Sequence, residues 1–221
     1  MNEKIIWDFI YSKVRNAYGT AALMGNLMAE SSLKPTCVNG VTDSKKYIAD
    51  ADAGNIDFIH DRKAFGLAQW CYWARKKGLL NYAKKQNASI SNLTIQLDYI
   101  WIELQTYKTV LNAITTATNI REASDIIMAR YEKPANTTEA AKQKRADYGQ
   151  KFYDEFTKPD IVKVVATDAV RIRAGDGLTY PVIGKMKKDE SLEWVVDSNG
   201  FHGVRLEDCV GWVSGEFSKV K

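Results

Sequence analysis

The 221-residue chain has two histidines and three cysteines, and that scarcity removes whole classes of chemistry. A zinc amidase or peptidase needs at least two His with a Cys or Asp in one domain. His60 and His202 fall in opposite halves of the chain, so no metal is expected. A cysteine peptidase needs a thiolate and a partner His; Cys37 and His60 share one polar stretch, with no pattern around them to support the pairing. Cys37, Cys71 and Cys209 stand at unrelated spacings and imply no disulfide framework. A Gly-rich phosphate loop is also missing, and no cofactor is expected. No apolar run approaches the roughly 18 residues that a membrane span requires, so membrane insertion is not expected. The start, Met1 to Asp8, lacks the unbroken apolar stretch of a signal peptide. Synthesis in the cytoplasm follows as an expectation, with any action outside the cell depending on release by another agent. The excess of 31 Lys and Arg over 27 Asp and Glu is too small and too scattered for a nucleic-acid partner.

What is present fits two domains, given the usual domain size. A hydrophobic content of 45% with 26% charged residues supports packed cores. Residues 1–157 carry 21 Lys and Arg against 17 Asp and Glu, and residues 158–221 carry 10 of each. A mildly basic first part suits an anionic polymer, though ordinary solubility explains it equally well. Ile5, Ile6, Phe9, Ile10 and Val14 recur at helical spacing. A second helix is expected from Thr20, as N-cap, through Leu23, Met24, Leu27 and Met28, stopping before Pro35. Residues 36–62 are polar, rich in Asp and Asn, and read as a loop or short hairpin. Helical patterns return near 72–86, 92–106, 107–117 and 120–131, and Thr137 or Thr138 caps a last helix reaching Phe156. After Thr157 come short runs of Val, Ile and Trp separated by Gly175-Asp176-Gly177 and Ser198-Asn199-Gly200, the pattern of a small β-barrel. The expected fold is therefore α+β and multidomain: a mainly α domain at 1–156, a linker at 157–160, and an all-β domain at 161–221.

Glu30 is the candidate acid. At about 100° per residue it falls roughly 20° from Leu23 and 60° from Leu27 around the helix, so its carboxyl projects from the apolar face. It also lies in the last turn, at the negative end of the helix dipole. Both effects disfavour the charged form. A glycosidase needs such a carboxylic acid to protonate a leaving sugar oxygen. Periodicity alone also fits a Glu at the edge of a buried stripe with its head in water.

Two segments carry a resemblance: Ala29-Glu30-Ser31-Ser32-Leu33-Lys34-Pro35 and Phe65-Gly66-Leu67-Ala68-Gln69-Trp70. Together they look like the signature of phage tail lysozymes and phage endolysin glycosidases. More widely they resemble goose-type lysozymes and soluble lytic transglycosylases. Tyr131-Glu132-Lys133-Pro134 and a final helix with Arg145 and Tyr148 fit the phage group, and the similarity spans most of residues 5–156. It implies a lysozyme-like domain acting on bacterial peptidoglycan, with Glu30 as general acid and Ser31 beside it. Gly66-Leu67-Ala68-Gln69 matches a strand-like element lining the sugar cleft, so Gln69 would hydrogen-bond substrate. Tyr131 matches an aromatic facing the cleft, and Trp70 could stack on a sugar ring or belong to the core. The Ala-Tyr-Asn-Ala-Gly segment usual in transglycosylases is missing, which favours hydrolysis.

A hydrolase usually needs a second carboxylate. Asp61, five residues before Gly66, matches an Asp preceding the same element in phage relatives; Asp43 is the alternative. Residues 161–219 resemble a bacterial SH3 (SH3b) domain through Ala169-Val170-Arg171-Ile172-Arg173-Ala174-Gly175, Tyr180-Pro181-Val182-Ile183-Gly184 and Gly211-Trp212-Val213. That likeness implies wall binding, with Arg173, Tyr180 and Trp194 as candidate contacts. The combined expectation is an endolysin cleaving the MurNAc–GlcNAc backbone. A lytic transglycosylase, a glucosaminidase and a non-catalytic wall-binding tail protein are the alternatives.

Overall fold

The computed structural model describes residues 2–158 and 163–221; Pro159 and Asp160 of the expected linker, with Ile161, lie outside them. The chain divides into two compact units, Met1–Thr157 and Lys158–Lys221. The first is helical and the second is antiparallel β, an α+β organisation. Among the described residues no helix is long and apolar enough to cross a membrane.

The helices are α1 (Asn2–Val14), α2 (Ala17–Ser31), α3 (Ser44–Ala53), α4 (Trp73–Lys85), α5 (Leu93–Leu104), α6 (Lys108–Thr115), α7 (Ile120–Ile127) and α8 (Glu139–Phe156). A π-helical turn over Met128–Glu132 extends α7. Helix α2 begins earlier than its apolar pattern indicates. Asn16, not Thr20, is the N-cap: its Oδ1 accepts from the Gly19 N–H at 2.9 Å, and its Nδ2 donates to the Ala117 carbonyl at 2.9 Å. Thr20 is buried inside the helix. At the other end Ser32 and Leu33 adopt left-handed φ angles of 53° and 56°, which stops α2 before Pro35.

The polar 36–62 stretch is not wholly loop. It contains α3, capped by Asp43, whose side chain accepts from the Lys46 N–H at 2.9 Å. Gly54 closes it at φ 77°. Its buried face is narrow, Tyr47, Ile48 and Ala51, so capping and tertiary contacts decide a helix whose apolar signal is weak. Thr138 caps α8.

Helix α2 is the centre of the first unit, packing against α1, α6, α7 and α8. Nearly all of it from Gly19 to Leu27 is buried, as expected for a helix apolar on most sides. Its approach to α8 depends on absent side chains. A Cβ on Gly25 would lie 2.3 Å from the Arg145 carbonyl oxygen, and one on Gly149 would lie 2.9 Å from the Ala21 carbonyl oxygen. Backbone cannot yield as a side-chain tip can, so Gly25→Ala must push the helices apart. The expected loss is about 1–3 kcal/mol, read by thermal or urea denaturation; wild-type stability would contradict so close a contact.

The second unit is a seven-stranded sheet in the order β3-β2-β6-β5-β4-β1-β7. Its strands are β1 (Lys163–Ala166), β2 (Val170–Arg173), β3 (Val182–Met186), β4 (Ser191–Ser198), β5 (Phe201–Arg205), β6 (Val210–Ser214) and β7 (Ser218–Val220). Alternation along these strands places Val164, Ala166, Val170, Ile172, Met186, Val204 and Val213 in a core of their own.

Candidate active site

Glu30 is the penultimate residue of α2, and the close α2–α8 approach brings Arg145 to it. The Arg145 Nη2 donates to Glu30 Oε1 at 2.6 Å, with side-chain exposures of 9% and 17%. Helix periodicity predicts the Glu30 carboxyl on the apolar face of α2; the structure adds an ion pair there, because α8 contributes a charge that periodicity cannot reveal. Ala29 and Arg145 line an open concavity of about 320 Å³ with Pro134, Asn136, Thr138 and Lys144. Glu30 reaches this concavity through its ion-pair partner Arg145, which lines it.

Behind this pair lies a second set of charges. Glu103, on α5, is buried and accepts four hydrogen bonds. Arg75 on α4 donates through Nε at 2.7 Å and Nη2 at 2.8 Å, Trp70 through Nε1 at 2.9 Å, and Tyr131 through its hydroxyl at 2.7 Å. The Arg75 guanidinium also covers the Tyr131 ring, 4.5 Å from its centroid. Burial pushes the Tyr131 hydroxyl far above its ordinary range, so it stays a donor.

The next residue is Glu132. The π turn places Tyr131 and Glu132 consecutively against the protein interior, and Lys133, at φ 50°, ends it before Pro134. Such turns are frequent at functional sites. The Glu132 Oε1 atom is covered and has no hydrogen-bond partner, and the same is true of Arg145 Nε. Burial raises the Glu132 carboxyl to about 8; the charges of Glu30 and Glu103 push the same way, and those of Arg75 and Arg145 oppose.

The remaining expected site residues have other occupations. Trp70 and Tyr131 are core residues bonded to Glu103, and neither presents a face to the surface. Ser31 is buried, its hydroxyl donating to the Leu27 carbonyl at 3.1 Å. Gly66-Leu67-Ala68-Gln69 forms a tight turn rather than a strand, closed by reciprocal bonds between Phe65 and Trp70 of 3.1 and 2.9 Å. Gln96 fills the space beneath: its Oε1 accepts from the Leu67 N–H at 2.8 Å, and a Cβ on Gly66 would lie 2.6 Å from that oxygen. Gln69 takes a left-handed φ of 44°, and its Nε2 donates to the Gly66 carbonyl at 2.9 Å.

Asp61 is committed to structure. It accepts from the Tyr47 hydroxyl at 2.5 Å and pairs with the ammonium of Lys76, whose side chain is 0% exposed. Lys76 also covers the Phe58 ring at 4.2 Å. Burial lowers the Lys76 ammonium while Asp61 pulls it back up. Asp61→Asn removes that counter-charge, so a stability loss of about 1–3 kcal/mol is expected, with activity at a permissive temperature near wild type. A large fall in turnover without unfolding would instead assign Asp61 to the chemistry. Asp43, the alternative carboxylate, is the cap of α3 and lines a separate shallow concavity with Val41, Lys46 and Tyr47.

In the second unit Arg173 Nη1 donates to the Tyr180 carbonyl at 2.8 Å. Arg173 lines a groove of about 480 Å³ with Arg171, Leu178, Phe201 and Phe217. Tyr180 is exposed. Trp194 packs against the second core instead, and its Nε1 donates to Asp197 at 2.8 Å.

Sequence reasoning passed over Arg75, Glu103 and Glu132. Glu132 was visible as a Glu between an aromatic and a Lys-Pro at a helix end; Arg75 and Glu103 carry no local signal.

One carboxyl, Glu30, is thus paired with an arginine that lines a surface concavity, and a second, Glu103, is paired with Arg75 in the interior. Residues 1–156 match the family model described as phage tail lysozyme, and the chain belongs to that family. Its helical unit is accordingly a lysozyme-like domain of the peptidoglycan-degrading type, with peptidoglycan as the substrate class.

Proposed function

We propose that the helical unit is a glycosidase cleaving the MurNAc–GlcNAc backbone of peptidoglycan, with Glu30 as general acid. The observation that carries this reading is the position of Glu30: it lies in the last turn of a buried helix and is held by Arg145, which lines a concavity open to solvent. In the reaction Glu30 gives its proton to the glycosidic oxygen as the C–O bond breaks. The sugar centre, gaining positive charge, is then attacked by water, whose hydroxyl bonds to the anomeric carbon while its remaining proton returns to Glu30. Arg145 orients the carboxyl before substrate arrives and would have to yield as the proton donor forms. Gln69 is proposed to contact sugar from the Gly66–Gln69 turn.

We further propose that the C-terminal unit is an SH3b domain that holds the enzyme on the wall, acting from its groove through Arg173 with Tyr180 beside it. A tethered second contact raises the local substrate concentration. Trp194, tied to Asp197, is proposed as a lesser contributor. The enzyme would be made in the bacterial host's cytoplasm during phage infection and act on the wall after release.

One observation favours a second reading. Asp61 is paired with Lys76 and Asp43 caps α3 through one oxygen, so both carboxylates already serve the fold. A lytic transglycosylase, in which the muramyl 6-hydroxyl replaces water, needs no such base. Mass spectrometry of digested walls tests both readings. Reducing MurNAc ends are expected; anhydro-muramyl ends would establish transglycosylation, and reducing GlcNAc ends a glucosaminidase.

A further inference from the structure

The concavity beside Arg145 is lined by charge of one sign. Its walls are Ala29 from α2, Pro134 and Asn136 from the loop after the π turn, and Thr138, Lys144 and Arg145 from the start of α8. No carboxyl group lines it. Arg145 is largely buried and gives one donor, Nη2, to Glu30 at 2.6 Å. Lys144 is exposed, and among the described residues no carboxylate lies within ion-pair distance of its ammonium; its Nζ sits 5.8 Å from the Tyr148 ring centroid. The acids nearest in sequence are engaged elsewhere. Asp147 accepts from Gln143 at 2.8 Å, and Glu139 pairs with Arg121 and with Lys142. A cleft walled by cations of one sign, with an amide and a hydroxyl beside them, concentrates anions. Sugar hydroxyls offer an ammonium no counter-charge, whereas a carboxylate forms a charge-assisted hydrogen bond with it.

We propose that this concavity is a carboxylate subsite, in which Lys144, with Asn136 and Arg145 beside it, binds the acidic arm of a muramyl residue. In peptidoglycan that acid is the lactyl carboxylate where the strand carries no peptide, and an acid of the stem peptide where it does. The subsite therefore selects a muramyl-bearing glycan over an uncharged amino-sugar polymer. This inference rests on the reading of Glu30 as the acid of a glycosidase, and Arg145 is the physical link, lining the subsite and holding Glu30. A carboxylate in the concavity competes with Glu30 for the same guanidinium, so the ion pair loosens when the charged arm is in place.

The test is NMR titration of the isotope-labelled full chain carrying Glu30→Gln, so that strands stay intact. The probes are peptide-free GlcNAc–MurNAc strands and peptide-bearing strands, each with its carboxylates free or converted to methylamides. Backbone amide shifts over residues 136–145 report this concavity separately from any binding by the C-terminal unit. Strands with free carboxylates are expected to shift these amides and to bind at least two-fold more tightly than their neutralised forms. Adding Lys144→Gln should lower that preference by about two- to five-fold, the usual contribution of a partly exposed ion pair, and Lys144→Glu should lower it further. Lys144 is exposed, so both variants should melt like their parent. A preference shown by peptide-free strands assigns the lactyl carboxylate, and one shown only by peptide-bearing strands assigns an acid of the stem peptide. Equal affinity for charged and neutralised forms of both strands overturns the proposal, as does a preference that neither Lys144 variant changes. Shortening of the strands by the Glu30→Gln chain would defeat the acid assignment while the shift preference still reports on the subsite, so the two failures are distinguishable.

Discussion

Glu30→Gln is expected to lower the rate of wall clearance by about 10²–10⁴-fold, the usual contribution of a positioned general acid. The amide oxygen can still accept from Arg145 Nη2, so the α2–α8 junction keeps its hydrogen bond and loses only the charge. Both side chains are largely shielded, and the stability cost should be about 1–2 kcal/mol, the difference between a charged and a neutral hydrogen bond. Binding to intact walls, the role proposed for the C-terminal unit, should be unchanged. Turbidity loss, a cosedimentation assay and a melting curve on one preparation separate the three effects. Clearance within a few-fold of wild type would take Glu30 out of the chemistry and turn attention to Glu132.

The largest stability effect is expected at Glu103. Glu103→Ala strands the Arg75 guanidinium, the Trp70 indole N–H and the Tyr131 hydroxyl, all donors to that carboxylate. Removing one partner of a buried pair costs about 3–5 kcal/mol, because the remaining charge is left uncompensated. Urea denaturation with two probes gives the number; a loss below about 1 kcal/mol would mean that water or a neighbouring carboxylate satisfies these donors. Glu103→Ala and Asp61→Asn touch different pairs without a shared partner, so their costs should add.

The legibility of the chain varies by element. The helices α1, α4, α5, α6 and α8 stand out because each carries an apolar stripe between recognisable ends, and Thr138 caps α8 as its position indicates. Helix α3 escapes notice because it buries little and depends on the Asp43 cap. Thr20 looks like the better N-cap of α2, but Asn16 is anchored to Ala117 across the fold, a contact that no local window contains. Trp70 and Tyr131 read as easily for sugar platforms as for core. Burial decides for core, and Glu103 supplies the partner that a buried indole N–H and phenol hydroxyl require.

Motif and spacing mark Glu30, the Gly66–Gln69 turn, the Tyr131–Pro134 segment and the change from helix to strand after Thr157, since each is a local pattern of residue types along the chain. The charge cluster is of another kind. Glu30, Arg75, Glu103, Glu132 and Arg145 belong to five separate segments, and they meet because Gly25 and Gly149 allow α2 and α8 to touch and because a π turn directs Glu132 inward. Electrostatic energy depends on distance through space and on exclusion of water. Which charges meet around Glu30 is therefore decided by packing and cannot be read from residue order.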